Sequence, residues 1–508
     1  MRSAARALPL LALSVLLFSC GGGGGSSAPV YVDPVRYSSL AGSGLASAAE
    51  LSSVTHHQIV VGGATLAYTA TAGHLSAVNP ATGRPEASFF YVAYTLDGAS
   101  AATRPVTFFY NGGPGSASVW LHLGSFGPRR LVTGDPLTTA PTPFPLVDNA
   151  QSLLDTSDLV FVDAIGTGFS EAILPNTNST FWGVDADAAA FRDFIVRYLA
   201  ASGRQASPLF LFGESYGTTR SAVLANLLET AGVTIHGVVL QSSVLDYNAN
   251  CGVATGPAVP CTGYLPTYGA IGAWYQLDVP NPPDAGLPAF VSQVEAFATS
   301  TYAPALAPYF ASGTLPPPAT ITQLADYTGI GTGAWQANFN FDPASFQSGL
   351  VAGTLIGRYD ARVSARNGTP LAADGDPSST FITPSFTSAI GAYLSSELGF
   401  TTPSTYTVTS SAIQTWNFAH DGLALPDVIP DLASAFTLNP RLKVLSANGY
   451  YDLATPFLQT QGDLARLGVN PGVSLAFYRG GHMTYLDDAA RALEKSDLVA
   501  FYALALGP

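Results

Sequence analysis

The stretch that decides the fold is Pro208-Leu209-Phe210-Leu211-Phe212-Gly213-Glu214-Ser215-Tyr216-Gly217. It begins with a short apolar run, which predicts a buried strand, and residues 219–231 after it have the composition of a helix. A Gly-x-Ser-x-Gly pattern between a strand and a helix predicts a sharp turn that leaves the serine hydroxyl free. The glycines permit this turn and let other backbone approach closely. We therefore expect Ser215 to be a nucleophile rather than part of an ordinary glycine-rich turn.

Strand-like and helix-like segments alternate on both sides of this stretch. Strands are predicted at residues 58–61, 64–71, 89–94, 106–110, 159–162, 238–240, 443–447 and 473–478, and helices at 184–199, 456–467 and 489–504. Such alternation predicts a mostly parallel central sheet with helices on both faces. With the strand, turn and helix around Ser215, it is typical of the α/β-hydrolase fold.

A chain of 508 residues is too long for one minimal domain. Residues 246–410 are rich in Pro, Gly, Ala and aromatic residues and contain few runs that resemble core strands. We therefore expect a hydrolase core in two parts, 51–245 and 411–508. A large cap, inserted at 246–410, separates them.

The N-terminus has the features of an export signal. Two arginines precede an apolar run at residues 8–18, which is about half as long as a membrane-spanning helix. The run ends in Leu17-Phe18-Ser19-Cys20-Gly21, which resembles a bacterial lipoprotein signal that is cut before an acylated cysteine. We expect a signal peptide at 1–20 and a flexible tether at 21–50. Acyl chains on Cys20 would then hold the protein on a membrane of the bacterial cell envelope, in the periplasm or at the outer-membrane surface.

The charge and the cysteines exclude some classes of function. The net charge is −14 and the longest basic run is Arg129-Arg130, so we expect no nucleic-acid partner. Cys251 and Cys261 lie ten residues apart, which in an exported protein favours a disulfide over two unpaired thiols. The sequence contains neither a Cys-x-x-Cys pair nor His-Glu-x-x-His, and we expect no metal and no cofactor.

A serine nucleophile needs a base, and of the seven histidines only His420 and His482 fall in the window where this fold class places it. His482 follows the strand predicted at 473–478 across a Gly-Gly loop, where this fold places its catalytic histidine. His420 lies at the end of the cap region without a strand before it. We therefore predict His482 as the base.

The acid that orients this histidine should follow the preceding strand. Asp452 lies just after the strand predicted at 443–447, and we predict it as the acid. The competitors are Asp163, which ends a strand but precedes the nucleophile, and Asp421 and Asp427, which follow no strand.

An oxyanion hole needs two backbone N–H donors. One comes from the residue after the nucleophile, which is Tyr216. The other comes from an early loop at the end of a strand, and Asn111-Gly112-Gly113-Pro114-Gly115 fits that position. We choose Gly113, because a residue without Cβ lets an acyl oxygen approach its N–H.

Four segments together resemble the serine carboxypeptidases, in that family's order. They are Asn111-Gly112-Gly113-Pro114-Gly115-Ser116, Asp163 with Gly166-Thr167-Gly168-Phe169-Ser170, Gly213-Glu214-Ser215-Tyr216-Gly217, and Gly481-His482-Met483. Thr218-Thr219-Arg220 is most similar to the bacterial branch. The resemblance implies removal of C-terminal residues from peptide substrates by Ser215, Asp452 and His482.

The resemblance also implies roles in substrate binding. Asn111 and Glu214 would hydrogen-bond the free carboxylate of the substrate, and Met483 would line the pocket of the departing residue. The alternatives are a structural hydrogen-bonding role for Glu214 beneath the turn and ordinary core packing for Met483. A carboxyl group beside a bound carboxylate must share a proton, which favours activity at acid pH.

Two departures from the family bear on the substrate. Phe109 stands where the eukaryotic members have Trp, and Ser125 stands where they have a second glutamate. Ser125 retains a hydroxyl, and Arg129 or Arg130 offers charge nearby. An esterase or acyltransferase is therefore an alternative, and a surface lipoprotein that only binds is a third. The polar motif at residues 356–362 in the cap has no role that its sequence indicates.

Overall fold

The structure, a computed structural model, describes residues 31–134, 142–254 and 258–507. Its strands are β1 (Tyr31–Val32), β2 (Ser52–Val61), β3 (Ala64–Val78), β4 (Pro85–Leu96), β5 (Val106–Tyr110), β6 (Arg129–Leu131), β7 (Leu146–Asp148), β8 (Asp158–Val162), β9 (Glu171–Ala172), β10 (Leu209–Glu214), β11 (Ile235–Gln241), β12 (Thr354–Ile356), β13 (Ser364–Arg366), β14 (Phe400–Thr401), β15 (Lys443–Gly449) and β16 (Val473–Tyr478).

The α-helices connect and cover these strands. They are α1 (Val119–Gly124), α2 (Val184–Ala201), α3 (Tyr216–Thr230), α4 (Leu265–Trp274), α5 (Leu287–Phe297), α6 (Ala303–Ser312), α7 (Pro318–Thr328), α8 (Thr332–Ala337), α9 (Pro343–Gly349), α10 (Pro377–Ser396), α11 (Ile429–Leu438), α12 (Phe457–Ala465) and α13 (Asp488–Leu506). Within the part of the chain that the structure describes, no helix has both the length and the apolar character that a membrane span requires.

Ten strands form one sheet in the order β16-β15-β11-β10-β5-β8-β4-β3-β2, and β9 pairs with β4. Neighbours from β16 to β8 run parallel, whereas β4, β3 and β2 extend the sheet in antiparallel fashion. This confirms the predicted mostly parallel sheet. Because β10 lies between β5 and β11, its carboxyl end lies near the middle of the edge where loops of several parallel strands meet.

Alternating side chains of the central strands pack into two apolar clusters, one on each face. The first cluster contains Phe108, Val160, Leu211, Val238 and Val444, together with residues of α2, α3 and α11. The second contains Phe109, Phe161, Phe212, Val239 and Leu445, together with residues of α1, α10 and α13. Because both faces are covered, these strands are apolar along their whole length, which is why the sequence displays them as continuous apolar runs.

The segment between β11 and β15 contains most of the remaining helices. Helices α4 to α9 surround a third apolar cluster that includes Trp335, which is fully buried, and Tyr451 of the core also packs into it. The structure joins Cys251 and Cys261 near the start of this segment in a disulfide whose Cα atoms lie 5.3 Å apart.

The last part of this segment packs differently. Phe386 and Tyr393 of α10 and Phe400 of β14 belong to the second cluster, which also contains Phe90 of β4. Residues 377–401 therefore cover the central sheet, whereas the helices before them form an apolar cluster of their own.

Residues 31–50 differ from the expected flexible tether. β1 pairs with β14, Leu45 bridges Ile173, and the backbone N–H of Ser38 donates to Glu171 Oε2 at 2.8 Å. The tether was predicted from local composition, but these contacts reach partners more than a hundred residues away. Cys20 and the rest of the expected signal lie outside the described residues.

Candidate active site

Ser215 lies at the turn between β10 and α3, with φ 59° and ψ −127°. A positive φ is rare for a residue with a side chain and stores strain where it occurs. The neighbouring glycines leave the room that the turn needs, since a Cβ on Gly213 would lie 2.2 Å from Gly217 O, and one on Gly217 would lie 2.8 Å from Tyr110 O. The Ser215 side chain is half-buried and lines a pocket of about 290 Å³.

The loop after β5 lies directly on this turn. A Cβ on Gly112 would lie 2.4 Å from the backbone nitrogen of Tyr216, so only glycine permits the contact. The next residue, Gly113, has φ 103°, is exposed, and lines the same pocket as Ser215. The structure thus brings together the two residues that the sequence predicted as oxyanion donors.

A buried arginine supports this loop from behind. Arg220 Nε donates to Asp187 Oδ2 at 2.7 Å, and Nη1 donates to the carbonyl oxygen of Asn111 at 2.8 Å. Its guanidinium carbon also lies 4.3 Å from the centroid of the Phe191 ring. Because Arg220 is fully buried, its charge must be balanced by Asp187, and its Nη1 fixes the backbone of Asn111 at the start of the loop after β5.

His482 and Asp452 form a buried pair. His482 Nδ1 lies 2.7 Å from Asp452 Oδ2, and the other carboxylate oxygen accepts the N–H groups of Ala454 and Thr455. The backbone N–H of His482 donates to the carbonyl oxygen of Tyr359 at 2.6 Å. Burial alone lowers the pKa of His482, but the charge and the hydrogen bond of Asp452 outweigh burial and raise it.

Thr455 is a member of this site that sequence patterns did not reveal. Its hydroxyl donates to Asp452 Oδ2 at 2.6 Å and lies 3.1 Å from His482 Nδ1. It also lines the pocket of Ser215. A threonine three residues after the acid matches no motif, and only its contacts reveal it.

Two residues that contact the Asp452–His482 pair line the pocket of Ser215. Thr455 and Tyr359 line it with Ser215, and the Tyr359 ring packs on the imidazole of His482 with 4.9 Å between the ring centroids. Among the described residues no hydrogen bond joins Ser215 Oγ to His482. Catalytic hydrogen bonds often tighten only when substrate binds.

The competing histidine is engaged elsewhere. His420 Nδ1 lies 2.6 Å from Asp185 Oδ1 and Nε2 lies 2.9 Å from Asp431 Oδ2. Burial lowers the pKa of His420, but these two carboxylates outweigh it and raise the pKa. His420, Asp421 and Asp431 also have ligand atoms within 4.8 Å of one another, but both imidazole nitrogens already have carboxylate partners.

The competing acid, Asp163, has a structural environment. It accepts hydrogen bonds from Ser118 N and Oγ and from the Tyr406 hydroxyl, at 2.7 to 2.8 Å. A Cβ on Gly168 would lie 1.8 Å from its carboxylate, which explains why a glycine follows Asp163 at this spacing. Burial raises the pKa of Asp163 to about 6.

Asn111 and Glu214 are in contact, as their predicted common role requires. Asn111 Nδ2 donates to Glu214 Oε1 at 2.7 Å, and the Tyr485 hydroxyl donates to Oε2. Burial raises the pKa of Glu214 to about 7, against the opposing effects of His482 and of both hydrogen bonds. Both residues are only 2% exposed, and neither is among the residues that line the pocket of Ser215.

Met483 lines a second, smaller cavity with Tyr359, Phe381 and Leu486. Tyr359 lines both this cavity and the pocket of Ser215. Met483 therefore borders a space beside His482.

Phe109 and Ser125, which differ from the residues of the eukaryotic carboxypeptidases, contact groups outside the site. Phe109 stacks between Phe161 and Phe212 in the core, with ring centroids 4.7 and 4.8 Å away. The Ser125 hydroxyl donates to the carbonyl oxygen of Leu121. Arg129 pairs with Asp148 and Glu397 on the surface rather than with a group of the site.

The walls of the pocket come from segments without any recognisable motif. Its apolar lining is Val244, Tyr247, Val253, Ile413, Phe418 and Leu425, and Arg358 and Tyr359 of the cap complete it. No local pattern could reveal these residues, because they converge from three separate stretches of chain.

The fold and the site define a serine hydrolase of the α/β-hydrolase class. Residues 63–247 match the family model described as serine carboxypeptidase. These residues include Gly113 and Ser215, and the match agrees with the resemblance that the motifs indicated. The match does not distinguish a bacterial branch.

The chain is similar to several solved structures. The prohormone-processing carboxypeptidase Kex1Δp of Saccharomyces cerevisiae is 16% identical over 85% of this chain and 91% of that chain, with a TM-score of 0.52. Proline iminopeptidase of Mycobacterium smegmatis is 15% identical over 88% of this chain and 99% of that chain, with a TM-score of 0.32. A bromoperoxidase of Bacillus anthracis is 15% identical over 85% and 99%, with a TM-score of 0.37. No curated protein sequence matches the chain.

Thr455→Val removes a hydrogen bond to Asp452 and keeps the shape of the side chain. A hydrogen bond to a charged group contributes about 1.5 kcal/mol, so we expect kcat to fall about tenfold with little change in KM. Steady-state kinetics on one peptide substrate measures both constants. Thr437→Val, at an exposed threonine of α11, is the matched control. A Thr455→Val enzyme with wild-type kcat would show that the hydroxyl does not help to orient Asp452.

Proposed function

We propose that this serine carboxypeptidase releases the C-terminal residue of a peptide through an acyl-enzyme intermediate on Ser215. One observation carries the proposal. The buried Asp452–His482 pair, with 2.7 Å between Oδ2 and Nδ1, lies beside the pocket that Ser215 and Gly113 line. A nucleophile, an oriented base and an oxyanion donor around one cavity are the parts that acyl transfer requires.

The reaction assigns one role to each group. His482 Nε2 takes the proton of Ser215 Oγ as the Oγ–C bond forms at the scissile carbonyl, and the N–H groups of Gly113 and Tyr216 stabilise the oxyanion. The C–N bond then breaks, and His482 returns the proton to the departing amine. Water repeats these steps on the acyl ester and frees Ser215. Asp452 accepts Nδ1–H throughout, which keeps Nε2 available as the base.

Asn111 and Glu214 would recognise the free carboxylate of the substrate. The support is their mutual contact and the high pKa of Glu214, because a protonated Glu214 can donate a hydrogen bond to an anion. Met483, in the cavity beside His482, would contact the side chain of the departing residue. Since Asn111 and Glu214 are buried in the free protein, binding would require Tyr485 or a neighbour to move.

The burial of Asn111 and Glu214 also favours an alternative. If Asn111 and Glu214 stay buried, the same Ser215, His482 and Asp452 would act on esters or transfer acyl groups without recognising a carboxylate. The relative rates of cleavage of a free-acid dipeptide and of its C-terminal amide distinguish these two functions.

The carboxypeptidase proposal predicts a preference for a free C-terminus. We expect an N-blocked dipeptide with a free carboxylate to be cleaved at least about tenfold faster than its C-terminal amide, the factor that one charge-assisted hydrogen bond supplies. Ser215→Ala should lower the rate by more than about a thousandfold. Release of the last amino acid is measured with a soluble form that begins at Ala28. Ser215-dependent turnover of simple esters, without cleavage of either peptide, would instead indicate an esterase or acyltransferase.

The same proposal predicts that KM for a free-acid peptide rises at alkaline pH and that this rise depends on Glu214. The pKa of Glu214 is raised to about 7, so its proton is present below that pH and lost above it. We expect KM for the free-acid peptide to rise up to about tenfold for each pH unit above 7. In Glu214→Gln, whose amide cannot lose a proton, this rise should disappear.

The fall in kcat at acid pH has a separate origin, which is the protonation of His482. His482 must be neutral to act as the base, so kcat falls as pH drops through its raised pKa. An ester substrate should therefore show this fall in kcat without the rise in KM. A rise in KM that persists unchanged in Glu214→Gln would exclude Glu214 from carboxylate recognition.

We also propose that the protein is exported to a bacterial cell envelope and anchored there by acyl chains on Cys20. The support is the sequence of the first 21 residues alone. Expression in a bacterial host with labelled palmitate should label the wild-type protein and leave Cys20→Ser unlabelled, with the variant recovered outside the membrane fraction. Equal labelling of both proteins would show that Cys20 is not the acylated residue.

A further inference from the structure

A short segment of the cap lies between the two loops that hold the catalytic pair. The N–H of Leu453 donates to the carbonyl oxygen of Arg358 at 3.0 Å, and the N–H of His482 donates to that of Tyr359 at 2.6 Å. On the far side, the N–H of Ala361 donates to the carbonyl oxygen of Tyr451 at 3.1 Å. Backbone hydrogen bonds thus fix residues 358–361 against the Asp452 loop and the His482 loop together.

Two arginines, Arg358 in this segment and Arg362 directly after it, have different environments. Arg362 is 5% exposed and bonds Asp360, Asp487 and the carbonyl oxygen of Arg479. Arg358 is exposed, and among the described residues its guanidinium makes no hydrogen bond or ion pair. Arg362 therefore stabilises the junction of cap and core, whereas the charge of Arg358 is available to a ligand.

Arg358 borders the pocket of the nucleophile. It lines the same pocket as Ser215 and Gly113 and is the only charged residue among the described residues that line it. Its backbone is anchored by Asp376 Oδ1 at 2.9 Å, and its guanidinium carbon lies 5.7 Å from the centroid of the Tyr359 ring. Its charge is also close enough to His482 to oppose the rise in that pKa.

The pocket belongs to the acyl side of the scissile bond. Gly113 would stabilise the oxyanion of the carbonyl that Ser215 attacks, so the residue carrying that carbonyl must lie here. Met483 lines the other cavity, which is the one for the departing residue, and Tyr359 lines both. A side chain in the pocket of Ser215 would meet apolar walls along its length and one cation.

We propose that Arg358 is a specificity-determining residue, which selects substrates with an acidic side chain on the residue whose carbonyl Ser215 attacks. A glutamate side chain fits this chemistry, because its methylene groups suit the apolar walls and its carboxylate can pair with a guanidinium. The inference deepens the proposed carboxypeptidase function and rests on it.

The test compares isosteric substrates with the full chain. N-blocked Glu-Leu, Gln-Leu and Leu-Leu, each with a free C-terminus, are assayed for kcat/KM near the optimum pH. We expect the wild-type enzyme to prefer Glu-Leu over Gln-Leu about tenfold, which corresponds to about 1.4 kcal/mol. Arg358→Gln should reduce this ratio to about 1, and Arg358→Lys should retain part of it. Higher salt should weaken the preference in the wild-type enzyme, since the pair is exposed.

Arg366→Gln is the matched control, because it removes the same charge from an exposed cap residue that does not line the pocket. It should leave the ratio of Glu-Leu to Gln-Leu unchanged, which excludes an effect of net charge. A circular dichroism spectrum and a Tm of Arg358→Gln that match the wild-type enzyme would show that the variant is folded.

Three results would overturn the inference. Cleavage of Leu-Leu without any preference for Glu-Leu would do so while the carboxypeptidase function stands. Equal loss of all three free-acid substrates in Arg358→Gln, with ester turnover retained, would show that Arg358 binds the C-terminal carboxylate instead. No Ser215-dependent release from any peptide would overturn the proposed function as well.

Discussion

The geometry of the site depends on one close contact, that of the loop after β5 with the turn at Ser215. Gly112 lies so near the backbone nitrogen of Tyr216 that a Cβ would approach it to 2.4 Å. Because β5 and β10 are neighbours in the sheet, their carboxyl ends bring these two backbones together. The contact sets the N–H groups of Gly113 and Tyr216 beside the nucleophile, and any side chain at Gly112 would separate them.

Buried polar groups hold this contact and the catalytic pair in place. Arg220 bonds the Asn111 carbonyl from below, and its own charge is balanced by Asp187. On the histidine side, Ser242 Oγ donates to the carbonyl oxygen of His482 at 2.5 Å. Such groups are stable in a low-dielectric interior only when they are paired, so each of them also specifies the position of its partner.

The cap contacts the loops that hold Asp452 and His482, in addition to lining the pocket of Ser215. Its segment at residues 358–361 bonds to both catalytic loops, and Tyr359 packs on the imidazole of His482. The cap therefore contributes to the position of His482 as well as to the walls of the pocket of Ser215. These backbone hydrogen bonds join the cap to the loops of Asp452 and His482.

The sequence by itself determined the parts that depend on local pattern. Apolar runs predicted the central strands, since those strands are buried on both faces, and the glycines around Ser215 predicted a turn that only residues without Cβ permit. The order of Ser215, Asp452 and His482 followed from loops that succeed strands of a parallel sheet. Tertiary structure alone decided four other features. Residues 31–50 pack against the core, the Thr455 hydroxyl bonds Asp452, and the Tyr485 hydroxyl bonds Glu214. The fourth feature is the exposed charge of Arg358 at the pocket of Ser215. The physical reason is that each of these depends on how loops and cap segments fold against one another, and no local periodicity records such contacts.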